Sequence, residues 1–407
     1  MATIQPFRAL RPRPDQAAAV AAVPYDVVST AEARELAAGN PLSFLRVSRA
    51  EIDLPADTDP HADAVYEAAA AGFVRLRREA PLVEEATPSL YAYRLRMGSH
   101  EQSGIAGCFS VDEYEHDIIR KHERTRQDKE DDRTRQIIAL RAQTGPVFLT
   151  YPASGDVDSA VARAVSAPPL FDFSAPDGVQ HTVWRVGDAD RDALVAAFAR
   201  IPYLYIADGH HRAASALRAR EALRERAPGG AAIEADTFLA VAFPNDQVQV
   251  LPYHRAVKDL AGHTPASFLK ALAERVDVGP GTETPGGQGE VALYLAGRWY
   301  TLHLAPAAAG DSAADRLDVS RLHAQVLSPL LDIGDPRTDT RIDFVGGIRG
   351  PRALVELVDE GVAAVAFALH PVSVEDLMGI ADAGGIMPPK STWFEPKLRD
   401  GLLSHLI

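Results

Sequence analysis

Alternation of apolar and polar positions is clearest over residues 90–97. Tyr91, Tyr93, Leu95 and Met97 share one face there and Arg94 and Arg96 the other, the two-residue period of a half-buried strand. The polar turn 98–104 leads into the apolar run 105–111, so the two segments predict a hairpin. Helical spacing takes over at 61–79, where Val65, Ala68, Ala69, Gly72, Phe73 and Leu76 form one stripe. Ser29 or Thr30 is placed to cap a helix that runs to about Ala38 and stops at Asn40-Pro41. Leu45-Arg46-Val47 reads as a short strand, and 113–141 as two helices joined by a polar segment. Strand 146–151, helix 153–165 and strand 181–186 follow.

A compact strand-turn-helix comes next: the apolar strand 203–207, the turn Asp208-Gly209, and an Ala-rich helix from His210 to Ala227, ended by Ala227-Pro228-Gly229-Gly230. Residues 238–243 and 248–254 predict a strand pair, and 291–295 with 298–302 a hairpin. Residues 319–331, 352–360 and 374–382 read as helices, and 363–369 as a strand. There is no internal repeat. Hairpins mixed with helices predict an α+β (mixed α/β) fold rather than a purely parallel sheet. Three regions are expected: 1–145, 146–275 holding the strand-turn-helix, and 276–407 closing the site.

Composition narrows the function. With 46% apolar and 24% charged residues, the 407-residue chain has material for a real core. Its net charge of −14 counts against nucleic acid as the main partner, because affinity for phosphate backbone comes from Lys and Arg. The charge favours a small-molecule ligand. Cys108, the single cysteine, lies in an apolar run and reads as a buried thiol; it excludes an internal disulfide or a cysteine zinc site. The longest apolar stretch, 362–369, is too short to span a bilayer, and the N-terminus shows no apolar signal region, so a cytoplasmic location without a membrane partner is expected.

The chemistry concentrates at Asp208-Gly209-His210-His211-Arg212. A helix N-terminus presents free N–H groups and the positive end of the helix dipole, which together bind anions. Asp208 is the expected N-cap, Gly209 would let a ligand approach the backbone, and Arg212 suits a phosphate or carboxylate. His210 and His211 diverge by roughly 100° on a helix, so they do not chelate one metal as a pair. The alternative is a capped helix with two surface histidines. Upstream, His122-Glu123-x-Thr125 groups an imidazole, a carboxylate and a hydroxyl able to position magnesium, a phosphate or a substrate hydroxyl. Asp128 to Arg133 suits a solvated helix face equally well. Near the C-terminus, Lys390, Ser391 and Thr392 are suited to phosphate within a proline-rigid loop, while Trp393 and Phe394 suit core packing.

Taken together, Pro6-Phe7-Arg8, Pro24-Tyr25-Asp26-Val27, Asn40-Pro41, His122-Glu123-x-Thr125, Asp208 to Arg212, Leu251-Pro252-x-His254-Arg255 and Met387-Pro388-Pro389-Lys390-Ser391-Thr392-x-Phe394 resemble the bacterial and archaeal family of domain of unknown function 1015. The resemblance spans nearly the whole chain. It implies a ParB/sulfiredoxin-like core, in which a turn similar to Asp208–Arg212 binds nucleotide phosphates. Sulfiredoxin chemistry would need a cysteine where this turn has histidine, and ParB-type DNA binding would need a helix-turn-helix and a basic face. Transfer of phosphate to free serine is the implied activity that the residues suit. Glu123, His122 and His211 would be catalytic, and Asp208, Gly209, His210, His211, Arg212, Lys390, Ser391 and Thr392 would bind ATP or ADP, with CTP also open, and magnesium. A phosphate-ester hydrolase, a non-catalytic nucleotide switch and a homodimer all stay open.

Overall fold

The alternating segment and the apolar run after it form the middle of a nine-stranded sheet in the computed structural model, which describes residues 1–80, 82–225 and 233–407. In chain order its strands are Ile4–Gln5 (β1), Tyr91–Met97 (β2), His100–Ser110 (β3), Ile119–Arg120 (β4), Val147–Tyr151 (β5), Phe171–Ser174 (β6), Gln180–Arg185 (β7), Leu204–Asp208 (β8) and Thr237–Pro244 (β9). Their spatial order is β4-β8-β5-β9-β3-β2-β7-β6, with β1 beside β3. β8 pairs parallel with β4, and β9 parallel with β5; the other neighbours are antiparallel. The fold is mixed α and β, as the pattern predicts.

Helices Asp63–Glu79 (α1), Gln127–Leu140 (α2), Gly155–Ala164 (α3), Asp188–Phe198 (α4) and His210–Arg224 (α5) cover this part of the chain. Apolar residues of α3, α4 and α5 (Val157, Leu194, Ala213) share one core with the sheet residues Phe109, Leu149, Ile206 and Phe238. A second core joins α1, through Val65, Ala69, Phe73 and Leu76, to the N-terminal segments. Ser29 caps Thr30–Leu36 in a reciprocal capping box with Glu32, as its sequence position predicts. Cys108 is buried, as its apolar run predicts, and burial pushes its thiol pKa up. No helix among the described residues is long and apolar enough to cross a membrane.

The described chain forms two compact units, Met1–Val248 with Pro396–Ile407, and Gln249–Glu395. Strands from both sides of residue 145 lie in the large sheet, so the expected boundary at 145 does not divide it. The second unit holds a six-stranded antiparallel sheet of Tyr253–Val257 (β10), Asp277–Pro280 (β11), Glu290–Leu295 (β12), Arg298–His303 (β13), Ile342–Gly346 (β14) and Val365–Leu369 (β15). The order is β11-β13-β12-β15-β10-β14. Pro265–Ala273 (α6), Gly350–Asp359 (α7) and Val374–Asp382 (α8) are its main helices, and Leu354 of α7 packs with Ala256, Val345 and Ala366.

Three local expectations are corrected. Leu45-Arg46-Val47 is the start of a helical turn, Leu45–Ser48, rather than a strand: three residues are too few to show a period, and packing of Leu45 and Val47 into the α1 core decides. The hairpin turn between β2 and β3 is Gly98-Ser99 alone, because pairing continues out to Met97 and His100. The expected pair of 238–243 with 248–254 does not form. Both edges of β9 are taken by β3 and β5, and Pro252 splits the later segment into Gln249–Leu251, paired with Trp393–Glu395, and β10. The helix terminator Ala227-Pro228-Gly229-Gly230 lies outside the described residues.

Phe109 is fully buried, with its ring 6.2 Å from that of Phe198 and 6.4 Å from that of Phe238. Phe109→Ala is expected to cost about 3–5 kcal/mol, read from the denaturant midpoint at unchanged slope. A loss below about 1 kcal/mol would show that this part of the sheet is not the core.

Candidate functional site

The site forms where two parallel strands end at the same sheet edge. Leu204 and Tyr205 of β8 are in register with Ile119 and Arg120 of β4. The chain leaving β4 supplies His122-Glu123, and the chain leaving β8 supplies Gly209-His210. Ligand sites of α/β sheets collect at such carboxyl ends. A register irregularity between Ile206 and Asp208, where β8 pairs with β5, adjusts the last residues of β8.

His122 and His210 are both buried, with ring centroids 4.4 Å apart and planes nearly perpendicular. His210 Nδ1 lies 3.8 Å from Glu123 Oε2, while the Glu123 side chain is 42% exposed, so this corner opens to solvent through the carboxylate. The His122 backbone N–H donates to His210 Nε2 at 3.5 Å. The His122 ring hydrogen-bonds to the Ile206 backbone, and its buried Nδ1 has no hydrogen-bond partner among the described residues. Burial lowers the His122 pKa to about 4, against the opposing pull of the Ile206 hydrogen bond and the Asp208 charge. Burial, reinforced by His122, also holds His210 well below the usual histidine range. Burial thus disfavours the charged form of both imidazoles.

Two expectations about the turn are corrected. The N-cap of α5 is Gly209, with φ of +93° and no side-chain cap, rather than Asp208. The missing Gly209 side chain makes room for Arg212, not for a ligand: an added Cβ would lie 2.9 Å from the guanidinium carbon. Asp208 instead forms an ion pair with Lys397 at 3.1 Å and lies 3.7 Å from Arg212. Burial would raise the Asp208 pKa, but Lys397 and Arg212 outweigh it and hold the carboxyl below its ordinary value. Arg212 is buried, donates to the Pro146 carbonyl, and has Asp26 at 4.0 Å; its Nε has no hydrogen-bond partner among the described residues. Beneath it, a cavity of about 50 Å³ is lined by Tyr25, Arg133, Arg212 and Asp400 among others, too small for a nucleotide.

The remaining candidates fall into two groups. His211 Nε2 accepts from the Arg126 backbone N–H at 3.1 Å, which ties the loop after Glu123 to α5. The Thr125 hydroxyl hydrogen-bonds to Glu130, and Asp128 pairs with Arg126. Lys390, Ser391 and Thr392 belong to the second unit. There Arg255 donates to the Pro389 and Lys390 carbonyls, Ser391 Oγ donates to the Pro388 carbonyl, and the Lys390 amine lies 5.6 Å from the centre of the Tyr253 ring. Lys397 was not singled out by sequence: it lies three residues beyond the motif 387–394, and its ion pair with Asp208 is long-range. The partnership of Asp26 and Asp400 with Arg212 left no local signal.

The family described as "Protein of unknown function (DUF1015)" matches residues 4–320. The chain belongs to this family. No curated protein matches the DUF1015 chain significantly. Among solved structures it is similar to a free serine kinase in complex with AMP, at 14% identity and a TM-score of 0.34, over 73% of this chain and 92% of that one. A conserved hypothetical protein from Pyrococcus furiosus matches at 15% identity and a TM-score of 0.35, over 73% and 94%. SbnI with C-terminal truncation from Staphylococcus aureus matches at 12% identity and a TM-score of 0.38, over 72% and 85%. Likeness at this level carries no argument about activity.

Two measurements test the geometry of this DUF1015 corner. Gly209→Ala forces a side chain into a left-handed conformation against the Arg212 guanidinium and is expected to cost at least about 1–2 kcal/mol. A neutral substitution, by denaturant titration, would contradict the described turn. Asp400 is buried, and burial pushes its pKa up to about 7, Asp26 adding to the rise while Arg212 and Arg133 oppose it. Unfolded, the group loses its proton near the ordinary value of 3.8. Between these values the folded state holds the extra proton, so this residue's contribution to stability falls as pH rises from about 4 to 7, by on the order of a few kcal/mol. Asp400→Asn should flatten that part of the stability profile. An unchanged profile would rule the raised value out.

Proposed function

We propose that the chain is a nucleotide-dependent phosphotransferase acting on a small hydroxy compound, with free serine the first acceptor to test. The observation that carries the reading is a carboxylate beside an uncapped helix end: Glu123 lies 3.8 Å from His210, the first residue of the 15-residue α5. The ParB/sulfiredoxin-like placement implied by the sequence motifs is part of this proposal.

The residues present suit the phosphates of a nucleotide. The first N–H groups of α5 have no intrahelical acceptor, Gly209 offers no side-chain cap, and the buried Arg212 Nε is unpartnered among the described residues. Lys397 and Arg212, balanced by Asp208, place two cations at this end of the helix. Bound nucleotide supplies the phosphoryl group. Glu123 accepts the proton of the acceptor hydroxyl, and His210 orients the carboxylate. His122, neutral and buried, positions rather than protonates. His211 holds the Glu123 loop on α5 through Arg126. Phosphoryl transfer depends mainly on positioning and charge stabilisation, which these donors supply. The reading needs no part from Lys390, Ser391 or Thr392.

Magnesium fits the corner poorly. It prefers an all-oxygen shell, whereas the ligand group found here pairs one carboxylate with two imidazoles. No step is assigned to it.

The test is transfer of label from ATP, ADP or CTP to free serine and related hydroxy acids, with a panel of divalent ions and a sample shown to be folded. Phosphoserine formation is expected, and Glu123→Gln should lower kcat by roughly 10²–10⁴ without loss of nucleotide affinity. Phosphate release from phosphoserine without nucleotide would select a hydrolase instead. Tight nucleotide binding without turnover, indifferent to Glu123→Gln, would select a switch protein. No transfer with any nucleotide overturns the proposal.

A further inference from the structure

We infer that His122, Glu123 and His210 form a binding site for one divalent first-row transition ion, zinc being the best match, with coordination positions left open to solvent. One ligand atom from each of these residues lies within 4.8 Å of the other two. Ligands on one ion at metal bonds of roughly 2.0–2.1 Å sit roughly 3.3 Å apart in a tetrahedron. The 3.8 Å between His210 Nδ1 and Glu123 Oε2 is close to that spacing; binding an ion at Nδ1 moves the His210 proton to Nε2 and breaks the long 3.5 Å contact from the His122 N–H, so a rotation of the His210 ring is part of completing the set.

A second, independent observation points to a ligand. His122 is buried and its Nδ1 has no hydrogen-bond partner among the described residues, an arrangement that costs free energy unless something occupies the atom. Its ring is also fixed by the hydrogen bond to the Ile206 backbone. Metal-bound histidines usually donate their second N–H to a backbone carbonyl or carboxylate in this way, leaving a lone pair for the ion. Asp208 lies near enough to act on both imidazoles and adds negative charge, offset in part by Lys397 and Arg212.

The donor types choose the ion. Imidazole nitrogen suits zinc, iron, nickel and copper, whereas magnesium and calcium prefer oxygen. Two histidines and one glutamate are three protein ligands, the number that leaves a catalytic zinc open to water or substrate oxygen. The site stands independently of the proposed transfer reaction. Combined with that reading, it supplies a Lewis acid for an acceptor hydroxyl or a phosphate oxygen.

The test titrates chelator-treated, full-length protein with Zn²⁺ and with Co²⁺, by calorimetry and by visible absorption of the cobalt form. One equivalent is expected, with Mg²⁺ in large excess failing to displace it. Glu123→Gln and His122→Asn should each weaken binding at least tenfold, while His116→Ala, at an exposed histidine outside the cluster, should not. X-ray absorption of the zinc-loaded wild type should show two imidazole nitrogens, which keeps the test valid if a variant misfolds. No uptake, uptake unchanged in the folded variants, or an all-oxygen shell overturns the inference. Metal binding without phosphoryl transfer would leave this site standing and remove only the proposed reaction.

Discussion

The short parallel pairing of β4 with β8 is the constraint on which the candidate site depends. Only two residues of β4 take part, yet the register of Ile119 with Leu204 and Arg120 with Tyr205 sets where both chains leave the sheet. Residues 88 positions apart, His122 and His210, then meet ring to ring. Ala213, Ala214 and Ala216 of α5 share a core with Ile119, Leu204 and Ile206 of that edge, and the link from Arg126 to His211 ties the exposed loop back to the helix.

Charges in this corner are paired locally. Asp26, Asp208 and Asp400 act on Arg212 and favour its charged form although burial opposes it, and Lys397 pairs with Asp208. A buried network of this sort adds little net stability, because desolvation offsets attraction. What it does provide is a fixed arrangement: Arg212 fills the space beside Gly209, and Asp208 is held ionised at the end of β8. The histidines are treated in the opposite way. Burial strips their charge, leaving neutral nitrogens next to a partly exposed carboxylate.

Much of this was legible in the sequence because the signals are local. The apolar run into Asp208-Gly209 and the Ala-rich continuation announce β8 and α5, and the Ser29 capping box lies within four residues. His122-Glu123 drew notice as a chemical grouping, and so did the turn histidines. That they share one site is implied only by the family resemblance, since their meeting follows from a long-range register that no periodicity encodes. The same limit explains Lys397, which follows the Lys390 motif by a few residues but belongs with the unit containing Asp208. Leu45-Arg46-Val47 and the segment split by Pro252 were misread for the same reason: tertiary packing and edge availability decided them. The Asp208 cap was misplaced by one residue because the carboxylate had a better partner in Lys397 than in the helix amides.

Hydrogen-deuterium exchange with and without nucleotide tests most directly whether this edge is a single ligand-binding corner. The account predicts that the peptides spanning 118–126 and 205–214 gain protection together on addition of nucleotide. Protection confined to one of them, or appearing only elsewhere in the chain, would contradict it.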